Sequence, residues 1–272
     1  MLFDSHTHLN ERSLSDSERR DFVKSVEDEK LEGIVDIGYD LESSMLAVEN
    51  AKTYPWCYAA VGCHPHDAGS FDELQLELVK SLTKEKKVVA IGEIGLDFYR
   101  NLSSPEDQEY WFRRQIRLAN ELGMPICIHE REAVAKTMEI LKEEGAFSEE
   151  RKSMFPERGG NHPGDARVVI HCFSSSRDIA MQYVTLGATI SVAGPLTYRN
   201  NRKTVEVVER VPIEYLMIET DAPYLTPEPL RGRRNVPGNV RYTAMKVAEI
   251  KDIPYEDVVR ITCDNAKRFY GI

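Results

Sequence analysis

VVAIGEIGLD, residues 88–97, is an almost unbroken run of apolar and small residues that carries Glu93 in its middle and ends on Asp97. So short and continuous a run reads as a strand covered on both faces, as in a parallel sheet, rather than the alternating strand of a half-solvated one. Working outward, seven more such segments recur: LFDSHTHL (2–9), GIVDIGY (33–39), YAAVGCHP (58–65), PICIHE (125–130), RVVIHCF (167–173), ATISVAG (188–194) and YLMIETDAP (215–223). Between them lie stretches with helical apolar spacing, among them LESSMLAVENAKTY and PEDQEYWFRRQIRLANELG. VRYTAMKVAEIKD and YEDVVRITCDNAKRFYG read as a closing helix pair. Eight β/α units without a GxGxxG loop predict an α/β fold of the closed (β/α)8 TIM-barrel type, not an open doubly wound sheet. The 272 residues suit one such domain, which typically takes about 250.

Composition narrows the class. The chain is 42% hydrophobic and 29% charged, has no apolar run of membrane-spanning length, and begins without the basic and apolar regions of a signal peptide. The expectation is a cytoplasmic protein with no obligate protein partner. Cys57, Cys63, Cys127, Cys172 and Cys263 are odd in number, widely spaced and without a CxxC pair, so they read as reduced small apolar residues rather than thiolate ligands. A net charge of -10 disfavours charge-driven coating of nucleic acid but leaves room for a local basic cleft. RGRRN, 231–235, is the basic cluster of note, a solvated loop or a phosphate clamp. The stretch 146–166 reads as a long irregular connection, with His162 as a surface loop histidine.

The polar residues gather at the strand ends. In a parallel barrel the C-terminal strand ends converge on one face, which holds the active site. His6 and His8 end the first run, and as i and i+2 in a strand they share a face. His64 and His66 follow the third, Glu93 and Asp97 lie on the fourth, His129 and His171 end the fifth and sixth, and Glu219 and Asp221 end the eighth. So many converging polar groups would cost several kcal/mol if left unpaired, and a metal centre satisfies them together. Imidazole and carboxylate suit zinc, manganese, iron or nickel better than magnesium, which prefers all-oxygen shells. His6, His8, Glu93, His129, His171 and Asp221 are too many ligands for one catalytic ion, so two divalent ions bridged by Glu93 are expected.

FDSHTHLN, VGCHPH, IGEIGLDFYR, HCFS, ISVAGPLTYRN and ETDAPYLTPEPLRGRRNVP, in this order, resemble the motifs of the TatD-like metal-dependent deoxyribonucleases of the amidohydrolase superfamily. HxH alone is shared widely, whereas GEIGLD with TDAPYLTP is far more specific. The resemblance covers essentially the whole chain. It implies that His6, His8, Glu93 and Asp221 hold one metal, and Glu93, His129 and His171 the other. It also implies that His64 contacts the scissile phosphate or acts as an acid, that His66 belongs to the same motif, and that Asp221 orients the attacking water or takes its proton. Arg231 and Arg233 become contacts for flanking phosphates, Asp97 a support for a ligand histidine or an ordinary salt bridge, and Glu219, which shares a face with Asp221 in strand geometry, a partner behind the metal ligands. Ser175 stands where the family usually has glycine after HCFS, and the 146–166 connection is long; both bear on substrate preference rather than chemistry.

The expected activity is hydrolysis of DNA phosphodiester bonds by a metal-activated water, with exonuclease action on single-stranded ends. The same centre can also attack a carbonyl, as in an amidohydrolase or an aminoacyl-tRNA deacylase. A non-catalytic nucleic-acid-binding scaffold is the third reading, and tight binding without metal or turnover would mark it.

Overall fold

The computed structural model describes residues 1–156 and 164–272, so His162 lies outside the described residues. Its strands are β1 (Phe3–Thr7), β2 (Gly33–Ile37), β3 (Cys57–Val61), β4 (Val88–Asp97), β5 (Ile126–Arg131), β6 (Val168–Ile170), β7 (Thr189–Val192) and β8 (Leu216–Ile218). They pair in parallel in the order of the chain, with helices alternating between them, as a (β/α)8 barrel requires. Some ladders are shorter than the apolar runs, β6 and β8 keeping three residues each because the chain leaves the sheet before the polar residues, whereas β4 stays in the sheet through Asp97. After β6, for example, Cys172 adopts a left-handed φ of 44°.

The barrel seam closes beyond the end of β8. Asp221 N–H donates to the His6 carbonyl at 3.0 Å, and His8 N–H donates to the Ala222 carbonyl at 2.7 Å. The buried Asp4 carboxylate accepts both the N–H and the hydroxyl of Thr220. The contacts that close the barrel therefore also set Asp221 beside the two histidines of β1. At the opposite end, the C-terminal helix Tyr255–Tyr270 packs Phe269 and Tyr270 against Phe3, Val89 and Ala90 from the strand beginnings. The Tyr270 hydroxyl donates to the Ser5 carbonyl at 2.7 Å, so one end is plugged and the other left open.

The connection 146–166 is less irregular than its composition implies. It contains a short helix, Glu149–Ser153, capped by the Ser148 hydroxyl. From it Arg151 turns inward and is buried, donating to the Ala166 and Met124 carbonyls and to Asn120 Oδ1, each at 2.8 Å. Those acceptors offset the cost of burying a guanidinium. No helix among the described residues is long and apolar enough to cross a membrane.

Gly95 is needed where β4 meets β5. It has φ +146°, and a Cβ there would lie 2.0 Å from the His129 carbonyl oxygen, a backbone atom that cannot step aside. Gly95→Ala is therefore expected to destabilise the fold by on the order of 3 kcal/mol, read as a fall in the urea midpoint with an unchanged m-value. A midpoint equal to the parent's would contradict this packing.

Candidate metal centre

Glu93 reaches the barrel mouth through an irregularity in β4. Ile91 pairs with Ile126 and Ile94 with Ile128, so one extra residue is inserted around Gly92 and Glu93. Such a bulge re-aims the side chain it carries. The β1 ladder slips in the same way between Asp4 and Thr7, around His6. Both slips occur where a ligand-type side chain must leave the regular pleat, and the His6 and His8 rings end 5.1 Å apart.

The two carboxylate oxygens of Glu93 divide the histidines. Oε1 lies 2.9 Å from His129 Nδ1 and 2.8 Å from His171 Nε2. Oε2 lies 3.5 Å from His6 Nε2 and 3.9 Å from His8 Nε2. Asp221 Oδ1 stands on the second side, 3.3 Å from His8 Nε2 and 3.8 Å from His6 Nε2. This division brings together the side chains that the resemblance assigns to each ligand set. One further proximity crosses it, since the His6 and His171 rings stack at 3.9 Å and share Asp221 as a neighbour.

Tautomers test whether these residues fit a metal. The Ile37 carbonyl can only accept, so His8 Nδ1, at 2.9 Å, carries a proton and the neutral ring turns its Nε2 lone pair toward the carboxylates. Glu219 holds His171 Nδ1 at 3.3 Å, and Asp97 holds His129 Nε2 at 3.2 Å, with the same consequence for the opposite nitrogen. Among the described residues, His6 is buried with neither ring nitrogen hydrogen-bonded. Neutral imidazoles would thus face carboxylates acceptor to acceptor, an arrangement that needs cations between them, either protons or metal ions. The donor set fits divalent metal.

Protons take that place when metal is absent, and the shifts follow. Burial opposes the charge on His8, but the hydrogen bond and charge of Asp221 outweigh it and lift its pKa to about 9. Burial likewise opposes charge on His171, and Glu93 with Glu219 overcomes it, raising that group. His6 is lowered by burial and by the neighbouring His171. Burial works against ionised Glu93, yet the charge of His171 and the hydrogen bonds from His129 and His171 hold its carboxyl well below the usual carboxylate range.

His64 plays a different part from the other histidines. Its Nδ1 accepts the His66 N–H at 3.1 Å, which leaves the neutral ring with a proton on Nε2, 3.7 Å from Glu93 Oε1. A nitrogen that carries its proton is a donor, not a ligand, although it lies within metal-binding distance of Glu93 and His129. Burial and the nearby His129 lower its pKa, so the ring stays neutral.

The supporting residues are sharper than their sequence implied. Asp97 is fully buried, and its Oδ2 holds His66 Nε2 at 2.8 Å as well as His129, so it is neither an isolated salt bridge nor a support for one histidine alone. Glu219 stands behind a candidate metal ligand, as its sequence position suggests, but that ligand is His171 rather than Asp221. The chain leaves the ladder after Ile218 and Asp221 takes φ +54°, so Glu219 instead binds His171, the Cys172 N–H and the Ser191 hydroxyl. Asp97→Asn is expected to lower metal affinity about 10–100-fold by loosening the ring of His129. Competition against a chromogenic chelator reads this, and unchanged affinity would contradict it.

These groups sit in a cavity of about 770 Å³ at the open end of the barrel. Tyr39 and Tyr224 flank His8 with ring centroids 6.0 and 6.2 Å away. Arg231 and Arg233 are exposed on the loop after β8 and do not line the cavity. Arg231 instead lies over the Tyr198 ring, 4.4 Å from its centroid, and the expected phosphate contact at these two positions falls outside the cavity. Arg100 and Arg131 do line it, and the sequence reading passed over both. The five cysteines are free, and only Cys172 is not fully buried; it lines the cavity wall.

The chain is similar to proteins named as metal-dependent hydrolases and nucleases. A family model described as TatD related DNase matches residues 3–271. The chain is 40% identical over 272 residues, covering all of both chains, to the Bacillus subtilis (strain 168) protein called uncharacterized metal-dependent hydrolase YabD. It is 32% identical to the Escherichia coli (strain K12) 3'-5' ssDNA/RNA exonuclease TatD, covering 100% of this chain and 99% of that one. Among solved structures, the TatD homologue YJJV of Escherichia coli K12 superimposes with a TM-score of 0.87 at 25% identity, covering 100% of this chain and 98% of that one.

Proposed function

The chain belongs to the TatD-related DNase family of metal-dependent hydrolases, and from that premise we propose that it is a nuclease that removes nucleotides from single-stranded DNA ends. One observation carries the reading: the oxygens of Glu93 divide four histidines into two groups, with Asp221 on the second side. On this reading His6, His8, Glu93 and Asp221 hold one divalent ion and Glu93, His129 and His171 the other, each zinc, manganese, nickel, iron or magnesium. When bound, such a pair lowers the pKa of water and stabilises charge on a phosphoryl oxygen.

The chain's own groups supply the remaining steps. His64 Nε2–H donates to a non-bridging oxygen of the scissile phosphate, a contact that strengthens as charge develops there. Asp221, at the mouth side of the centre, accepts the proton of the attacking water. His66, tied to Asp97, fixes His64 through its backbone N–H. The depth of the centre favours a chain end: Glu93 is 4% exposed and His6 1%, out of reach of the backbone of an intact duplex. The name of the Escherichia coli relative supports single strands and a 3' start. Five free cysteines support work in the reducing cytoplasm.

The experiment is turnover of end-labelled single-stranded oligonucleotides with added manganese or zinc, beside Asp221→Asn. The proposal expects mononucleotides from the parent and at least about a 10²-fold slower release from the variant. No release by the parent, or equal release by both, would refute it. Faster turnover of an ester panel than of oligonucleotides would favour carbonyl substrates instead.

A further inference from the structure

Resting on the nuclease reading, we infer that Arg131 and Arg100 form a phosphate subsite beside the metal centre, taking the phosphate next to the scissile one. Arg131 is the last residue of β5, two positions beyond His129 and therefore on the same side of the strand. Two strand residues span about 6.6 Å, close to the separation of neighbouring phosphates along an extended single strand. Arg100 reaches the same edge of the mouth from the end of β4, whose Asp97 pairs in register with Arg131. Its backbone N–H is fixed at 2.8 Å from Asp97 Oδ1, the carboxylate that also holds His66 and His129. The subsite and the metal centre are thus anchored to one buried group.

Charge and geometry both suit a phosphate. Among the described residues, neither guanidinium is paired with a carboxylate. The acids that share the cavity have partners of their own, as Asp97 does in its two histidines and Glu130 in the Tyr183 hydroxyl. Arg131 rests on the Tyr99 ring with its guanidinium carbon 4.0 Å from the centroid. That stack occupies the face of the guanidinium and leaves its edge donors free for two phosphate oxygens. In a chain of net charge -10, two unpaired arginines at the rim of the cavity give an anionic strand a local landing point.

The test compares Arg131→Gln, Arg100→Gln and the double variant on a single-stranded hexanucleotide and on bis(p-nitrophenyl) phosphate, a diester with one phosphate. The double variant is expected to lose about tenfold more kcat/KM on the hexanucleotide than on the one-phosphate diester, mostly through KM. Anisotropy of a labelled hexanucleotide on the metal-free protein should show a salt slope reduced by about 0.7 for each arginine removed. Tyr99→Leu should weaken hexanucleotide binding and Tyr99→Phe should restore it. Equal losses on the two substrates, or an unaltered salt slope, would overturn the subsite. If the parent cleaves no oligonucleotide the nuclease reading falls separately, and the salt slope still decides whether these arginines bind nucleotide phosphate.

Discussion

Glu93→Gln is expected to lower turnover of single-stranded oligonucleotides by about 10³-fold or more and to leave at most one tightly held metal per chain. The amide keeps the shape of the side chain but removes the charge on which His129 and His171 converge from one side and His6 and His8 from the other. A single amide oxygen cannot serve both groups, because its NH2 donates and the metals need lone pairs. The fold should survive, since the near-isosteric replacement leaves the Glu93 N–H bonded to the Gly38 carbonyl at 2.8 Å. Metal content by atomic emission, beside oligonucleotide kinetics, checks both halves. Two retained ions with activity within tenfold of the parent would contradict the bridging role.

Stability of the metal-free protein should fall between pH 6.5 and pH 9. His8, opposed by burial but carried by Asp221, has a folded pKa of about 9 against an ordinary 6.5. A group raised in this way stabilises fully below its unfolded value and loses that contribution as pH climbs through its folded one. His171 and His129 are raised as well, and act in the same direction. His6 and His64 are lowered, chiefly by burial, so their contribution grows as pH rises toward 6.5. Glu93 and Asp221 are depressed, so theirs is present above ordinary carboxylate values and lost only in acid. For His8 the interval from 6.5 to about 9, at about 1.4 kcal/mol per pH unit, amounts to about 3 kcal/mol. Thermal melts of the metal-free protein should therefore drop by several degrees between pH 6.5 and 9, and His8→Gln should flatten much of the drop. A Tm that is flat or rising over that range would contradict the assignment. Metal binding at pH 8 should release about one proton from His8, visible as calorimetric heats that depend on the buffer.

The barrel and its polar rim were legible because both rest on local pattern. Apolar runs such as VVAIGEIGLD predict doubly covered strands, and the histidines and acids that end them must converge once the sheet closes. What escaped were facts of register and of single contacts. Nothing in GEIGLD says that a Cβ at Gly95 would strike the His129 carbonyl, because that contact depends on how β4 lies against β5. Asp97 could be weighed only between two roles until the structure brought two histidines to one of its oxygens. Strand geometry marks Glu219 as a supporting residue, but that it holds His171 depends on the closed barrel, since β8 ends at Ile218. The helix Glu149–Ser153 is too short for periodicity to reveal, and the burial of Arg151 depends on carbonyls distant in sequence. RGRRN is visible as a cluster, whereas Arg100 and Arg131 are isolated in the sequence and come to line one cavity only through the fold, in which Asp97 pairs with Arg131.

Anomalous scattering from crystals grown with manganese or zinc tests the central claim most directly. Two peaks are expected roughly 3.5–4 Å apart, one bounded by His6, His8 and Asp221, the other by His129 and His171, with Glu93 contacting both. A single peak, or a mouth without metal in metal-rich buffer, would contradict it.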